Sequence, residues 1–180
     1  MSRKDGILIV DDEFSIRDSL GRWFQEEGYR VGLAEDGEAA LAQLEDGAWD
    51  VALVDIRMPG MDGLELLRRI VDRFPGTMVI TITAHATVGT AVEAFKAGAF
   101  DYITKPFDPD DVSRVVAKAL RQRDLVRENR RLRERVKNLV GTDRIIGESA
   151  DMKRIKALLE TIAVTDSTVL IRGRRGTGTE

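Results

Sequence analysis

Val51-Ala52-Leu53-Val54-Asp55, followed by Ile56-Arg57-Met58-Pro59-Gly60, is the stretch from which the fold can be read. Four consecutive apolar residues, two of them β-branched, predict a strand buried on both faces. Asp55 closes the strand and Pro59-Gly60 supplies a turn. Leu64, Leu67, Ile70, Val71 and Phe74 then recur at helical spacing. The unit is therefore strand, acid, turn, helix, and it repeats in both directions along the chain.

Upstream, Ile7-Leu8-Ile9-Val10 is a second buried run. It leads into a helix marked by Ile16, Leu20, Trp23 and Phe24 and stopped at Gly28. Tyr29, Val31 and Leu33 alternate as a half-buried strand, and Asp36 caps a helix carrying Ala40, Leu41 and Leu44. Downstream, Met78–Thr83 is a strand, and Val88, Val92 and Phe95 mark a helix ending at Gly98. Phe100–Ile103 is the fifth strand, and Asp108-Pro109 opens a last helix. Strand starts near residues 7, 29, 51, 77 and 100 predict an α/β fold with a parallel sheet, right-handed crossovers and helices on both faces.

The composition of the 180-residue chain agrees, with 43% apolar and 33% charged residues. The absence of cysteine excludes disulfides, thiolate metal sites and cysteine nucleophiles, and the single His85 excludes a multi-histidine site within the chain. No apolar run is long enough to span a membrane and the N-terminus lacks a signal peptide, so a cytoplasmic protein is expected. The net charge of −3 is uneven: residues 1–120 hold 13 Lys/Arg against 22 Asp/Glu, and residues 121–180 hold 15 against 9. The two parts differ in kind.

In sheets of this type, sites form where loops leave the carboxyl ends of strands. Asp11, Asp12 and Glu13 follow strand one, Asp55 ends strand three, Thr83 ends strand four and Lys105 follows strand five. Clustered carboxylates repel one another, and a divalent cation is the natural relief. All-oxygen ligands favour Mg²⁺, which keeps waters and a phosphate in its shell. A lysine and a hydroxyl beside it complete a phosphoryl-binding pocket. Taken singly, Asp11 and Asp12 read equally well as capping acids, Asp55 as a turn residue, Thr83 as a β-former and Lys105 as a solvated charge. Four polar types at the ends of four strands exceed what capping explains. His85 reads as a solvated loop residue, and Met58 and Met61 as packing beside the Asp55 turn.

Val10-Asp11-Asp12-Glu13, the Asp55–Gly63 segment, Thr83-Ala84 and Lys105-Pro106-Phe107 resemble the receiver domain of bacterial two-component response regulators over residues 5–120. The resemblance implies a flavodoxin-like doubly wound sheet of five parallel strands in the order 2-1-3-4-5. It implies Asp55 as acceptor of a phosphoryl group from a sensor histidine kinase. Mg²⁺ would be held by Asp12, Asp55 and the main-chain carbonyl of Arg57, with Asp11 acting through a water. Lys105 would pair with the phosphate, Thr83 would move toward it, and Tyr102 would swing inward behind Thr83. The result is a charge-driven switch and not a turnover enzyme. An aspartate-nucleophile phosphatase is the alternative, but it wants a second acid where Arg57 stands. A flavodoxin-like cofactor binder would want a glycine-rich loop after strand one.

Between Pro109 and Leu139 there is neither Gly nor Pro. Leu125, Leu132 and Leu139 at d, with Asn129 and Val136 at a, predict a parallel two-stranded coiled coil over 121–140. Glu128 would face Arg133 of the other chain, and the remaining arginines would stay in water. A solvated helix and a nucleic-acid-binding basic region are the rivals, and Asp124, Glu128 and Glu134 interrupt the latter. Residues 141–180 add a helix with Met152, Ile155, Leu158, Leu159 and Ile162, a strand Thr168–Ile171, and a loop containing Gly173, Gly176, Gly178 and Thr179. This part resembles the opening of the AAA+ domain of sigma-54 enhancer-binding regulators. Thr179 stands where a P-loop carries lysine, which implies a degenerate, truncated ATPase segment. Contacts to sigma-54 RNA polymerase and DNA would then belong to parts absent from these residues.

Overall fold

The computed structural model describes residues 4–84, 87–140 and 149–162. The elements are β1 (Gly6–Val10), α1 (Phe14–Glu26), β2 (Arg30–Ala34), α2 (Gly37–Asp46), β3 (Val51–Asp55), α3 (Gly63–Arg73), β4 (Met78–Thr83), α4 (Val88–Lys96), β5 (Asp101–Thr104), α5 (Pro109–Val140) and α6 (Ala150–Ile162). The sheet is parallel throughout, in the order β2-β1-β3-β4-β5, with β1 paired to both β2 and β3. The parallel sheet is the one expected from the strand spacing, and its strand order is the one the resemblance implies. His85, the strand Thr168–Ile171 and the loop containing Gly173, Gly176, Gly178 and Thr179 lie outside the described residues.

The continuous apolar runs are explained by two cores, one on each face of the sheet. Leu8, Val10, Ala52 and Val54 face Ala40, Leu41 and Leu44 of α2 and Leu66, Leu67 and Ile70 of α3. Their alternates Ile7, Ile9, Val51 and Leu53 face Leu20 and Phe24 of α1 and Val112, Val116, Ala119 and Leu120 of α5. A strand covered on both sides has no polar face, so its sequence shows no alternation. On α3 the buried apolar side chains are Leu66, Leu67 and Ile70, while Val71 of the expected stripe is 39% exposed. α4 ends as read, with Gly98 at positive φ, but Val88, Val92 and Phe95 point outward and Ala94 alone is buried.

The chain divides into two compact units, residues 1–128 and 129–180. The first therefore includes the opening of the segment read as a linker. Contrary to the expectation of solvated arginines, Arg123 is only 6% exposed, as is Asp50. Its guanidinium pairs with Asp50 Oδ1 at 2.6 Å, Asp124 Oδ1 at 2.7 Å and Asp5 Oδ1 at 3.0 Å. Asp50 Oδ2 in turn accepts the Gly6 amide at 2.7 Å. In the second unit α6 forms as expected, with the hydroxyl of Ser149 accepting the Met152 amide at 3.3 Å. Among the described residues no helix is long and apolar enough to cross a membrane.

Candidate functional site

The carboxyl edge of the sheet brings the expected residues together. Val10 and Val54 are adjacent in register, so the acids that follow β1 and end β3 emerge side by side. Asp11, Asp55 and Thr83 are buried, and Asp12 is exposed. Lys105, whose peptide bond to Pro106 is cis, follows β5. Its backbone amide donates to the Thr83 carbonyl at 2.8 Å, tying the two loops.

Lys105 is the hub. Its Nζ lies 2.8 Å from Asp11 Oδ2, 2.9 Å from Asp55 Oδ2 and 3.0 Å from Glu13 Oε1. Burial works against the ammonium charge, but hydrogen bonds to Asp11, Asp55 and Glu13 outweigh it and raise the pKa above its ordinary value. Burial also raises the Asp11 carboxyl, against hydrogen bonds from Lys105 and the Glu13 amide. Asp55 Oδ1 accepts the Arg57 amide at 3.2 Å, and Asp11 Oδ1 accepts that of Glu13 at 2.9 Å. Glu13 stood in the sequence beside the acids, but its reach to a lysine 92 residues away has no local signature.

Asp11, Asp12 and Asp55 each offer an oxygen, and these lie within 4.8 Å of one another. Opposite oxygens around an octahedral Mg²⁺ stand about 4.2 Å apart, twice the Mg–O bond of roughly 2.1 Å. The donor set, all oxygen and net negative, suits that ion. Tyr102 is half-buried, and its hydroxyl is shut off from solvent without a hydrogen-bond partner among the described residues.

Close packing fixes the floor of the site. Asp62 caps α3 by accepting the Glu65 amide at 2.7 Å, and the Gly63 amide donates to the Ile56 carbonyl at 2.9 Å. A Cβ on Gly63 would stand 2.0 Å from the Asp55 carbonyl oxygen. Only glycine lets the helix start against the strand end that carries Asp55.

Residues 7–117 match the response regulator receiver domain family. Regulatory protein AtoC of Escherichia coli (strain K12) is 39% identical over 180 residues, covering 100% of this chain and 39% of its own length. The crystal structure of NtrX from Brucella abortus superposes with a TM-score of 0.70 at 36% identity, over 91% of this chain and 36% of that one. TrrA from Thermotoga maritima, solved in complex with Mg²⁺-BeF, gives a TM-score of 0.59 at 37% identity, over 64% of this chain and 99% of that one. The chain thus spans about two fifths of the length of AtoC.

Proposed function

Because the chain belongs to the response regulator receiver family, we propose that Asp55 is its phosphoacceptor and that the acidic cluster takes Mg²⁺. The carrying observation is the Lys105 ammonium held 2.9 Å from Asp55 Oδ2 at the carboxyl edge of the sheet. Asp12, Asp55 and the Arg57 carbonyl would hold the ion, with Asp11 acting through a water. The ion would neutralise charge on the transferring oxygens. An Asp55 carboxylate oxygen attacks the phosphorus of a kinase phosphohistidine. The P–O bond forms as the P–N bond breaks, and the imidazole nitrogen leaves with the electron pair. Lys105 transfers its pairing from carboxylate to phosphoryl oxygens, and Thr83 supplies a hydroxyl. Asp55 carrying a phosphate is more negative than before, and that charge repacks the loops bearing Thr83 and Lys105. Exposed Arg57 offers no acid two positions after Asp55, which disfavours the phosphatase alternative. Incubation with Mg²⁺ and a small acyl phosphate separates the two. The switch gains about one phosphoryl group per chain and stops, whereas continuous phosphate release would establish the phosphatase.

The same proposal extends to the full-length protein. It would be a cytoplasmic, dimeric, sigma-54-dependent transcription regulator whose polymerase and DNA contacts lie in other parts, with residues 141–180 opening its AAA+ domain. The helix beyond the receiver would be the dimer seam. Leu125 and Leu132 on α5 are 67% and 48% exposed in the single chain, and Asn129 is exposed on the same helix. The side chains of Val136 and Leu139, the rest of the proposed seam, lie outside the described residues. Each leucine buried by a partner would contribute roughly 1.5–3 kcal/mol. Asn129 would fix register at some cost in stability. Leu132→Glu is expected to convert a dimer to a monomer in light scattering, and Arg130→Ala is expected to leave it dimeric. A Leu132→Glu variant that keeps a dimeric mass would move the contact into the receiver.

A further inference from the structure

Asp12 differs from its neighbours in the acidic cluster. Asp11 and Asp55 are buried and tied by Lys105, but Asp12 is exposed and has no hydrogen-bond or ion-pair partner among the described residues. Its placement therefore depends on the backbone that carries it. The carbonyl of Asp11 and the amide of Asp12 belong to one rigid peptide plane. One edge of the loop is fixed by the Asp11 amide, which donates to the Ala34 carbonyl at 3.2 Å. The plane itself is held by Arg17, whose Nη1 donates to the Asp11 carbonyl at 2.5 Å.

Arg17 is well placed for this. It sits in the first turns of α1, its side chain is 12% exposed, and its guanidinium carbon lies 5.9 Å from the centre of the Phe14 ring. Its nearest carboxylate, on exposed Glu35, is 3.9 Å away, too far for a hydrogen bond. An arginine largely withdrawn from water and spent on one main-chain carbonyl is costly unless that carbonyl must be held.

We propose that Arg17 is a positioning residue for the metal site: it fixes the peptide plane from which Asp12 projects, and thereby the approach of Asp12 to Mg²⁺. The inference rests on the assignment of Mg²⁺ to the acidic cluster. Outer-shell partners that orient metal ligands are typically worth about 10–100-fold in affinity, and a loss of at least roughly tenfold is expected for Arg17→Met. Arg17→Lys keeps the charge and one donor, so it should recover a substantial part of that loss. Glu35→Gln should bind as the parent does.

The experiment is a Mg²⁺ titration of the whole chain followed by backbone amide shifts in NMR, which report folded molecules only. Asp12→Ala is the reference for a lost ligand. Weakened binding in Arg17→Met with recovery in Arg17→Lys supports the proposal. Folded Arg17→Met binding within about twofold of the parent, well short of the outer-shell range, overturns it, as does Arg17→Lys binding no better than Arg17→Met. If Arg17→Met gives no folded spectrum, Arg17→Gln carries the comparison at the same threshold. A parent chain that binds no Mg²⁺, or an Asp12→Ala variant that binds as well as the parent, instead overturns the underlying assignment of the metal site.

Discussion

Arg123→Met is expected to destabilise the receiver by about 3–5 kcal/mol, the cost of leaving one member of a buried ion pair behind. Asp50 would keep its buried carboxylate with the Gly6 amide and lose its cation at 2.6 Å. The methionine replaces the aliphatic stem, so the loss reads out charge and not volume. The thermal unfolding midpoint should fall by roughly 10–20 °C. The double variant Arg123→Met/Asp50→Asn should be more stable than the single one, because the buried carboxylate that lost its guanidinium is itself removed and the asparagine oxygen still accepts from Gly6. A single variant within about 0.5 kcal/mol of the parent, the range of an ordinary surface substitution, would show that the cluster carries no net stability.

Gly63→Ala is the second large effect. The added carbon would sit 2.0 Å from the Asp55 carbonyl oxygen and 2.7 Å from Ile56 Cα, and neither is the end of a flexible side chain. Either α3 withdraws or the end of β3 shifts. Overpacking of this kind costs roughly 1–3 kcal/mol. The shift also acts on the acceptor, since misplacing a reacting group by about 1 Å can cost about a hundredfold in rate. Phosphorylation by an acyl phosphate, measured at a temperature where the variant is folded, should slow by about that factor. A variant reacting at the parent rate would mean that the loop, and not Asp55, absorbs the strain.

These two positions mark where the sequence was and was not legible. Asp55, Asp12, Thr83 and Lys105 were findable because strand ends recur at a regular interval and parallel sheets gather those ends on one edge. Asp36 could be read as a cap because its chemistry is local, accepting from Ala39 three residues on. Arg123 could not. An arginine in a run of charges reads as a solvated face, and only the fold brings it to Asp5, 118 residues away. Glu13 was visible among the acids after strand one, but its tie to Lys105, like the contact of Arg17 with the Asp11 carbonyl, is set by loop geometry that the sequence does not show. The outward apolar side of α4 was legible as helical period alone. A period says that residues share a face, and what lies opposite decides whether that face is buried.

Asp55 is expected to carry the phosphoryl group of this chain. Intact-mass spectrometry of the parent and Asp55→Asn, each treated with Mg²⁺ and a small acyl phosphate, tests it most directly. One added phosphoryl group is expected on the parent and none on Asp55→Asn. An Asp55→Asn chain phosphorylated to the same extent as the parent would contradict it.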